Sequence, residues 1–332
     1  MMKLGVLDQS PVSKGQTAGE ALQQSIELAQ YTEELGYSRY WVAEHHNTNG
    51  LASTSPEILI GQILASTNRI RVGSGGVLLP QYSPLKVAET FRMLESFYPG
   101  RVDLGLGRSP GGGSKTRLAL TDNIEKPLSS FSRQVKELQK FLYETISKGE
   151  VHFGVHARPD TPNQPELWVL GLTDRGARHA AVNGTGFTFG YFINPSHADE
   201  AIKVYREKFK PSVGLKSPKL NTCIFVICAE TDQEAEEMAL SQDMWLLQVE
   251  QGIETRVPSI DEVKHHSFSD REKEKIKQNR NRCIIGTPKK VHKELRRLAD
   301  TYGIDEFLVI TNVYDFEKKK KSYRLISQEV NR

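Results

Sequence analysis

The chain has 332 residues and is 38% hydrophobic, enough for a sizeable core, and its formal net charge of +3 is too small to indicate nucleic acid or an anionic membrane as a partner. Three cysteines (Cys223, Cys228 and Cys283) without CxxC spacing argue against a disulfide framework. No apolar run approaches the roughly 18 residues of a membrane span, and no signal peptide precedes the first predicted strand, so we expect a cytoplasmic protein.

Eight short apolar runs along the chain predict β-strands, and helical patterns alternate with them. The helices carry recognisable start signals, among them a capping box that begins at Thr17 and Ser-Pro pairs at Ser55 and Ser83. The last helix is predicted from about 316 to 330. The predicted strands lie at 3–7, 40–42, 70–79, 102–106, 167–170, 187–189, 220–229 and 307–310.

Three stretches interrupt this alternation, at 109–129, 149–165 and 252–270. The first opens with the glycine-rich tract SPGGGS at 109–114, which predicts a flexible flap or a backbone wrapped close to a ligand. The last has little periodicity and many polar residues, so we expect a mobile excursion there.

Strand–helix alternation gives parallel strands joined by right-handed crossovers. Eight such strands predict an α/β fold, a (β/α)8 TIM barrel that forms one domain over 1–332, with insertions at its C-terminal rim. An open doubly wound sheet is the alternative, but the G-x-G-x-x-G phosphate turn of that fold is missing after the first strand.

The second strand ends in three titratable residues, Glu44, His45 and His46, which a packed interior would not accept unpaired. The alternatives to catalysis are two surface histidines or a metal pair. Adjacent histidines leave opposite sides of an extended chain, so we do not expect both to bind one metal. In a barrel the residues after each strand meet at one rim. Here that rim would collect Asp8, the 44–46 cluster, Gly75, Gly76, Arg108 and the turn 171–176.

The residues of this predicted rim suit a flat cofactor with a phosphate group. Gly75 and Gly76 let the backbone approach a ring system, and Arg108 offers a bidentate contact to phosphate. The turn GLTDRG at 171–176 opens a helix, whose N-terminus attracts anions. Taken singly, these features fit a β-bulge, a surface ion pair and helix packing equally well. Their common position at strand ends is what indicates a site.

At these positions the chain resembles the bacterial luciferase-like flavin monooxygenases, specifically their single-chain, non-luminescent branch. The resemblance is carried by WVAEHH at 41–46, VGSGGVLLP at 72–80 and GRVDLGLGR at 100–108. The runs LDQSP at 7–11 and GTP at 286–288 are also similar to the family and follow its order.

The resemblance implies a barrel that binds flavin mononucleotide (FMN) at the C-terminal rim and uses it reduced, with oxygen. His45 matches the histidine that supports flavin oxygen chemistry, and we predict His45 and Glu44 to be catalytic. Gly75-Gly76 matches a bulge behind the isoalloxazine ring, where the family often has a non-proline cis peptide. Arg108 matches the arginine that holds the flavin phosphate. Gly107 stands where the luciferase catalytic subunit has a reactive cysteine, so no thiol chemistry is expected there.

The turn after the fifth strand departs from the family, which usually carries several serines there for the phosphate. Here Thr173 is the one hydroxyl in the turn, Asp174 is unfavourable beside a phosphate, and Arg175 could compensate for it. The change predicts low flavin affinity or a phosphate held in a different way. The predicted cofactor-binding residues are Asp8, Gly75, Gly76, Arg108, Gly171, Leu172, Thr173, Arg175 and Gly176.

Three functions are compatible with these residues. In the first, a separate reductase supplies reduced FMN and the protein oxidises a small organic substrate; the lack of a nicotinamide-binding fingerprint fits an external reductant. The second is hydride transfer with a deazaflavin on the same barrel, and the third is a non-catalytic flavin-binding protein. The substrate is not predicted, because the stretches that would shape its site are the least patterned parts of the chain.

Two further expectations follow from the resemblance and from strand geometry. Family members commonly pair through helices on the flank of the barrel, which predicts a homodimer here. Alternation along the second strand places Trp41, Ala43 and His45 on one side and Glu44 and His46 on the other. The family match selects the first side as the flavin side, where an imidazole could exchange a proton near neutral pH. The apolar residues proposed for the dimer helices are Ile58, Leu59, Phe91 and Leu94.

Overall fold

A computed structural model describes residues 2–109, 111–253 and 255–331. The strands are Lys3–Asp8 (β1), Arg39–Val42 (β2), Arg71–Leu78 (β3), Val102–Gly107 (β4), Glu166–Gly171 (β5), Gly186–Gly190 (β6), Leu220–Cys228 (β7), Cys283–Gly286 (β8) and Glu306–Ile310 (β9). The helices are Ala18–Glu34 (α1), Pro56–Ser66 (α2), Pro84–Phe97 (α3), Ser114–Leu120 (α4), Phe131–Leu142 (α5), Asp174–Asn183 (α6), Ala198–Lys208 (α7), Asp232–Gln251 (α8), Ile260–His265 (α9), Asp270–Arg280 (α10), Pro288–Tyr302 (α11) and Phe316–Val330 (α12).

Eight of these strands close into a parallel barrel, which confirms the predicted fold class. The ring runs β6-β5-β4-β3-β2-β1-β9-β7 and closes through the pairing of β6 with β7. Each barrel strand overlaps one of the eight predicted from sequence. The C-terminal ends of all eight therefore lie at one rim, as a barrel requires.

The short strand β8 was not predicted. It pairs in parallel with the second half of β7, from Phe225 to Cys228, beyond the part of β7 that pairs with β6. Its four residues are too short an apolar run to be distinguished, in the sequence, from a turn before α11. In the structure this strand lies beside the C-terminal half of β7.

The irregular stretches differ in outcome. The stretch 149–165 contains no helix or strand, as predicted. The stretch 252–270, expected to be mobile, is instead anchored: Ser259 caps α9, and the Lys14 N–H donates to the carbonyl of Val257 over 2.9 Å. The stretch 109–129 likewise contains a short helix, α4. Anchoring by residues more than 200 positions away cannot be seen in local periodicity.

Alternating side chains divide the barrel wall into two faces. Outward residues such as Val42 and Val72 pack under the helices. Inward residues form what we call the interior cluster: Leu7, Trp41, Ala43, Trp168, Cys223, Phe225, Trp245, Leu246, Val257, Leu308 and Ile310.

The opposite, N-terminal end of the barrel is closed by buried charges. The Arg39 guanidinium donates to Asp103 over 2.6 Å and to Glu306 over 2.8 Å, and the Trp41 indole N–H donates to Asp103 over 2.8 Å. The Arg39 group also lies 5.0 Å from the ring centre of Trp168. This network leaves the C-terminal rim as the open end.

Two of the four apolar residues proposed for a dimer interface are core residues. Leu59 is 6% exposed and Phe91 is 1% exposed, so neither can contact a partner. Ile58 on α2, by contrast, is 66% exposed, and Phe97 on α3 is 65% exposed. Among the described residues, no helix combines the length and the apolar character that crossing a bilayer requires.

Candidate functional site

The end of β2 has the predicted alternation. Trp41 and Ala43 belong to the interior cluster, whereas Val42 faces the outer layer. Glu44 and His46 then share the outer side, where Nε2 of His46 lies 2.7 Å from Oε1 of Glu44.

Glu44 is buried and accepts hydrogen bonds within the protein. Its Oε2 accepts from the backbone N–H of Leu78 over 2.8 Å, and its Oε1 accepts from the hydroxyl of Tyr82. Leu78 is the last residue of β3, so Glu44 ties the end of β2 to the end of β3. Sequence reasoning missed Tyr82, although its position directly before the Ser83-Pro84 helix start placed it at the rim.

His45 presents an unsatisfied nitrogen. Its Nδ1 is buried and has no hydrogen-bond partner among the described residues, while its backbone N–H donates to the carbonyl of Ser53 over 3.0 Å. Burial, and then the nearby His46, lower the pKa of His45 to about 4. The imidazole is therefore neutral at pH 7. A neutral ring with a free nitrogen is suited to hydrogen-bonding a bound group.

Gly75 and Gly76 form an irregular segment of β3 where side chains would not fit. The Gly75–Gly76 peptide bond is cis, as the resemblance implied, and the register with β4 shifts between Ser74 and Val77. A Cβ on Gly75 would lie 2.4 Å from Cδ1 of Leu7, and one on Gly76 would lie 2.7 Å from the carbonyl oxygen of Gly105. Both positions therefore require glycine for close packing.

Positive charge collects where β4 and β5 end. Burial and the positive charge of the neighbouring Arg175 lower the pKa of Arg108, so the two guanidinium groups are close enough to repel each other. Burial, Arg108 and Arg175 together lower the pKa of His179 as well. No carboxylate forms an ion pair with either arginine among the described residues. Two close cations without a counter-charge are a receptive site for an anion.

The same place holds the first turn of α6. Its N-cap residue Thr173 makes no side-chain capping hydrogen bond, so the hydroxyl and the first N–H groups of the helix can receive a ligand. Gly171 and Gly176 bring the strand end close to the helix, because a Cβ on Gly171 would lie 2.8 Å from Cα of Gly176. Leu172 lies at the surface of this turn, 37% exposed.

Asp8 is the predicted cofactor-binding residue that the structure does not bring to this set. It is 2% exposed, and its carboxylate accepts from Ser25 of α1 over 2.5 Å and lies 3.2 Å from Nζ of Lys319 on α12. Burial opposes its ionisation, but Lys319 and the hydrogen bond from Ser25 outweigh burial and lower the pKa of Asp8. Asp8 is the last residue of β1 but faces the helices, so it holds α1 and α12 against the barrel.

An aromatic group lies in and against the interior cluster, which also contains Ala43. Phe225 lies 5.2 Å from Phe192 and 6.5 Å from Trp245, with edge-on ring geometry in both pairs. Trp245 comes from α8, and its indole N–H donates to the carbonyl of Thr255 over 2.8 Å. Sequence reasoning missed these three aromatic residues, because only the closed barrel brings them together. They suit the apolar part of an organic ligand.

These residues fit FMN. The Arg108–Arg175 pair at the start of α6, without an ion-paired carboxylate among the described residues, matches a phosphate, and the unsatisfied Nδ1 of His45 is available to a bound group. Asp8 is not among these residues.

The chain was compared with known proteins. The family model of luciferase-like monooxygenases matches residues 2–305. The "Uncharacterized protein YceB" of Bacillus subtilis is 54% identical over 99% of both chains, and the N-acetyl-S-alkylcysteine monooxygenase of B. subtilis is 36% identical over 99% of this chain and 98% of that protein. Among solved structures, apo-MsnO8 is similar with a TM-score of 0.88 at 35% identity, covering 100% of this chain and 99% of that chain. The chain therefore belongs to the luciferase-like monooxygenase family, as its strand-end residues had indicated.

Proposed function

We propose that the protein is an FMN-dependent monooxygenase that receives reduced FMN from a separate reductase. When bound, reduced FMN supplies the two electrons with which one atom of O2 enters an organic substrate and the other leaves as water. The observation that carries the proposal is the Arg108–Arg175 pair at the first turn of α6, which forms no ion pair with a carboxylate among the described residues and lies on the same rim as His45.

The other tasks in this proposed reaction fall to residues of this chain. Arg108, Arg175 and the N-terminus of α6 bind and orient the phosphate. His45, neutral at pH 7, offers a hydrogen bond at Nδ1 to the reacting group. The aromatic group around Phe225 excludes water from the inner side of the site.

Glu44 acts in this proposal as a positioning residue rather than as an acid or base. Its hydrogen bonds with His46, the Leu78 N–H and Tyr82 lie within the protein, and the last two join the end of β2 to the end of β3. Thr173 takes the place of the family's serines, and Arg175 adds a second cation that offsets the first-turn acid Asp174. This combination supports a phosphate held by charge more than by hydroxyl groups.

Loss of the Arg108 guanidinium tests the phosphate assignment. A charge-assisted bidentate contact contributes about 1.5–3 kcal/mol, so Arg108→Ala should weaken FMN binding by about tenfold or more. Riboflavin, which has no phosphate, should bind the variant and the wild type alike in a fluorescence titration. Arg133→Ala, which removes an arginine whose side chain is 71% exposed on α5, should leave both affinities unchanged. Equal losses for both ligands would refute the assignment.

The cofactor and the reaction class need a separate experiment. Anaerobic titration with reduced FMN, followed by O2 and by an S-alkylated N-acetylcysteine, tests for one labelled oxygen atom from 18O2 in an organic product. That probe is chosen because the relative with 36% identity is named for such substrates. Binding of a deazaflavin but not FMN would favour the hydride-transfer alternative. Tight FMN binding with uncoupled oxidation across a panel of substrates would favour a flavin-binding protein without catalysis.

We also propose that the protein forms one domain over 1–332, lies in the cytoplasm and is a homodimer that pairs through α2 and α3. The exposed apolar residues Ile58, Met93 and Phe97 on these two helices support the pairing. A monomer mass by light scattering at micromolar concentration would contradict it.

A further inference from the structure

Ser53 carries a second unsatisfied polar atom beside His45. The residue is 2% exposed, and its Oγ has no hydrogen-bond partner among the described residues. The His45 N–H donates to the Ser53 carbonyl over 3.0 Å, so the two residues are direct neighbours. Nδ1 of His45 is unsatisfied in the same way.

Alternation along the chain indicates that both side chains face the inner side of the rim. Ala43, two residues before His45, belongs to the interior cluster, and Leu51, two residues before Ser53, packs against that cluster. Residues two apart in an extended chain point to the same side. His45 and Ser53 therefore continue the inward faces of two neighbouring segments.

The two atoms can be satisfied by one shared partner. Buried polar atoms in native proteins are almost always hydrogen-bonded, and two orphaned atoms on adjacent residues indicate a place for a third polar atom. Nδ1 of a neutral imidazole donates in one tautomer and accepts in the other. A hydroxyl group both donates and accepts, so an oxygen that can also do both fits the pair.

We propose that Ser53 is a positioning residue of the site, whose hydroxyl and His45 Nδ1 together hold one neutral oxygen atom. In the flavin-free protein this oxygen belongs to a water molecule. During turnover it belongs to the oxygen-bearing reactant. The second role rests on the proposed function, whereas the first does not.

The rate at which protein-bound reduced FMN is reoxidised by O2 tests the role in turnover. Ser53→Ala should lower this rate about tenfold, the effect of losing roughly one hydrogen bond, with FMN affinity unchanged within a few-fold. Ser53→Thr should restore the rate to within about threefold of wild type, since the hydroxyl returns. Ser241→Ala is the matched control, because Ser241 on α8 is 0% exposed and its hydroxyl is also without a partner. A Ser53→Ala rate equal to that of Ser241→Ala, or no rescue by threonine, would overturn the proposal.

Ring 15N resonances of His45 in the flavin-free protein test the two-point site without any flavin. The Nδ1 signal should shift in Ser53→Ala and stay in place in Ser241→Ala; an unshifted signal overturns the site. If the wild type binds no reduced FMN, the proposed function fails, and the NMR result still decides whether the oxygen site exists. A shifted signal with an unchanged oxidation rate would overturn the positioning role.

Should Ser53→Ala not fold, Ser53→Cys, a weak donor of similar volume, replaces it and should behave unlike Ser53→Thr.

Discussion

Removal of the Glu44 carboxylate should destabilise the protein by disconnecting two strand ends. Glu44 is 4% exposed, and Leu78, whose N–H it accepts, is also 4% exposed. In Glu44→Ala that N–H loses its acceptor in a place with little access to water, which costs about 1–3 kcal/mol. Tyr82 and His46 are only partly buried and can turn to water, so each adds about 0.5 kcal/mol. We expect a loss of about 2–4 kcal/mol in the free energy of unfolding.

Glu44→Gln refines this expectation. An amide oxygen can keep the bond from the Leu78 N–H, while the NH2 group can donate to Nε2 of His46 in its other tautomer. This variant should therefore lose about half as much as Glu44→Ala. Urea denaturation followed by tryptophan fluorescence, extrapolated linearly to water, measures both losses.

A surface glutamate provides the control. Glu27 pairs with Lys320 over 2.6 Å with its side chain 55% exposed, and Glu27→Ala should cost about 0–1 kcal/mol. If Glu44→Ala lowers the free energy of unfolding no more than Glu27→Ala, or if Glu44→Gln lowers it as much as Glu44→Ala, then Glu44 does not join the ends of β2 and β3 as described.

Two other perturbations have defined outcomes. His45→Ala should lower single-turnover oxidation by at least about two decades with flavin binding within a few-fold of wild type, and His46→Ala should cost far less; a more damaging His46→Ala would reverse the assignment. Because the pKa of His45 is about 4, wild-type activity should show no inflection from this residue near pH 6.5. Lys319→Met removes the partner of a carboxylate that is 2% exposed and should cost about 3–5 kcal/mol at pH 7. Since Lys319 holds the folded pKa of Asp8 below its unfolded value of about 4, that carboxylate stabilises the wild type above this pH and the contribution is lost as pH falls through the folded pKa. In the variant the Lys319 charge no longer opposes burial, and only the hydrogen bonds from Ser25 and Tyr40 still lower the pKa of Asp8, so this pKa should rise. The difference in unfolding free energy between wild type and variant should then narrow from pH 7 to pH 4; a constant difference would contradict this account.

The barrel itself was predictable from the sequence because its signals are local. Each barrel strand is a short apolar run, and helix starts such as Thr17 are marked by capping residues a few positions apart. The inward side of His45 was likewise predictable, since alternation in an extended segment depends on neighbouring residues alone. The Gly75–Gly76 segment and Arg108 were placed at the rim by their position at strand ends, and the resemblance to a family, which carries information that a single chain does not, matched each of them to a part of the flavin.

The tertiary structure decided which strand-end residues share the site. Asp8 ends β1 and Glu44 comes two residues after β2, yet Lys319 and Ser25 hold the first toward the helices, whereas Leu78 and Tyr82 fix the second at the rim. These partners lie from 17 to 311 positions away in the chain. The neutral state of His45 has the same origin, because burial is a property of the assembled rim and not of the residue. Sequence thus determined where polar side chains leave the barrel wall, and only packing between distant segments determined which of them stay free to bind a ligand.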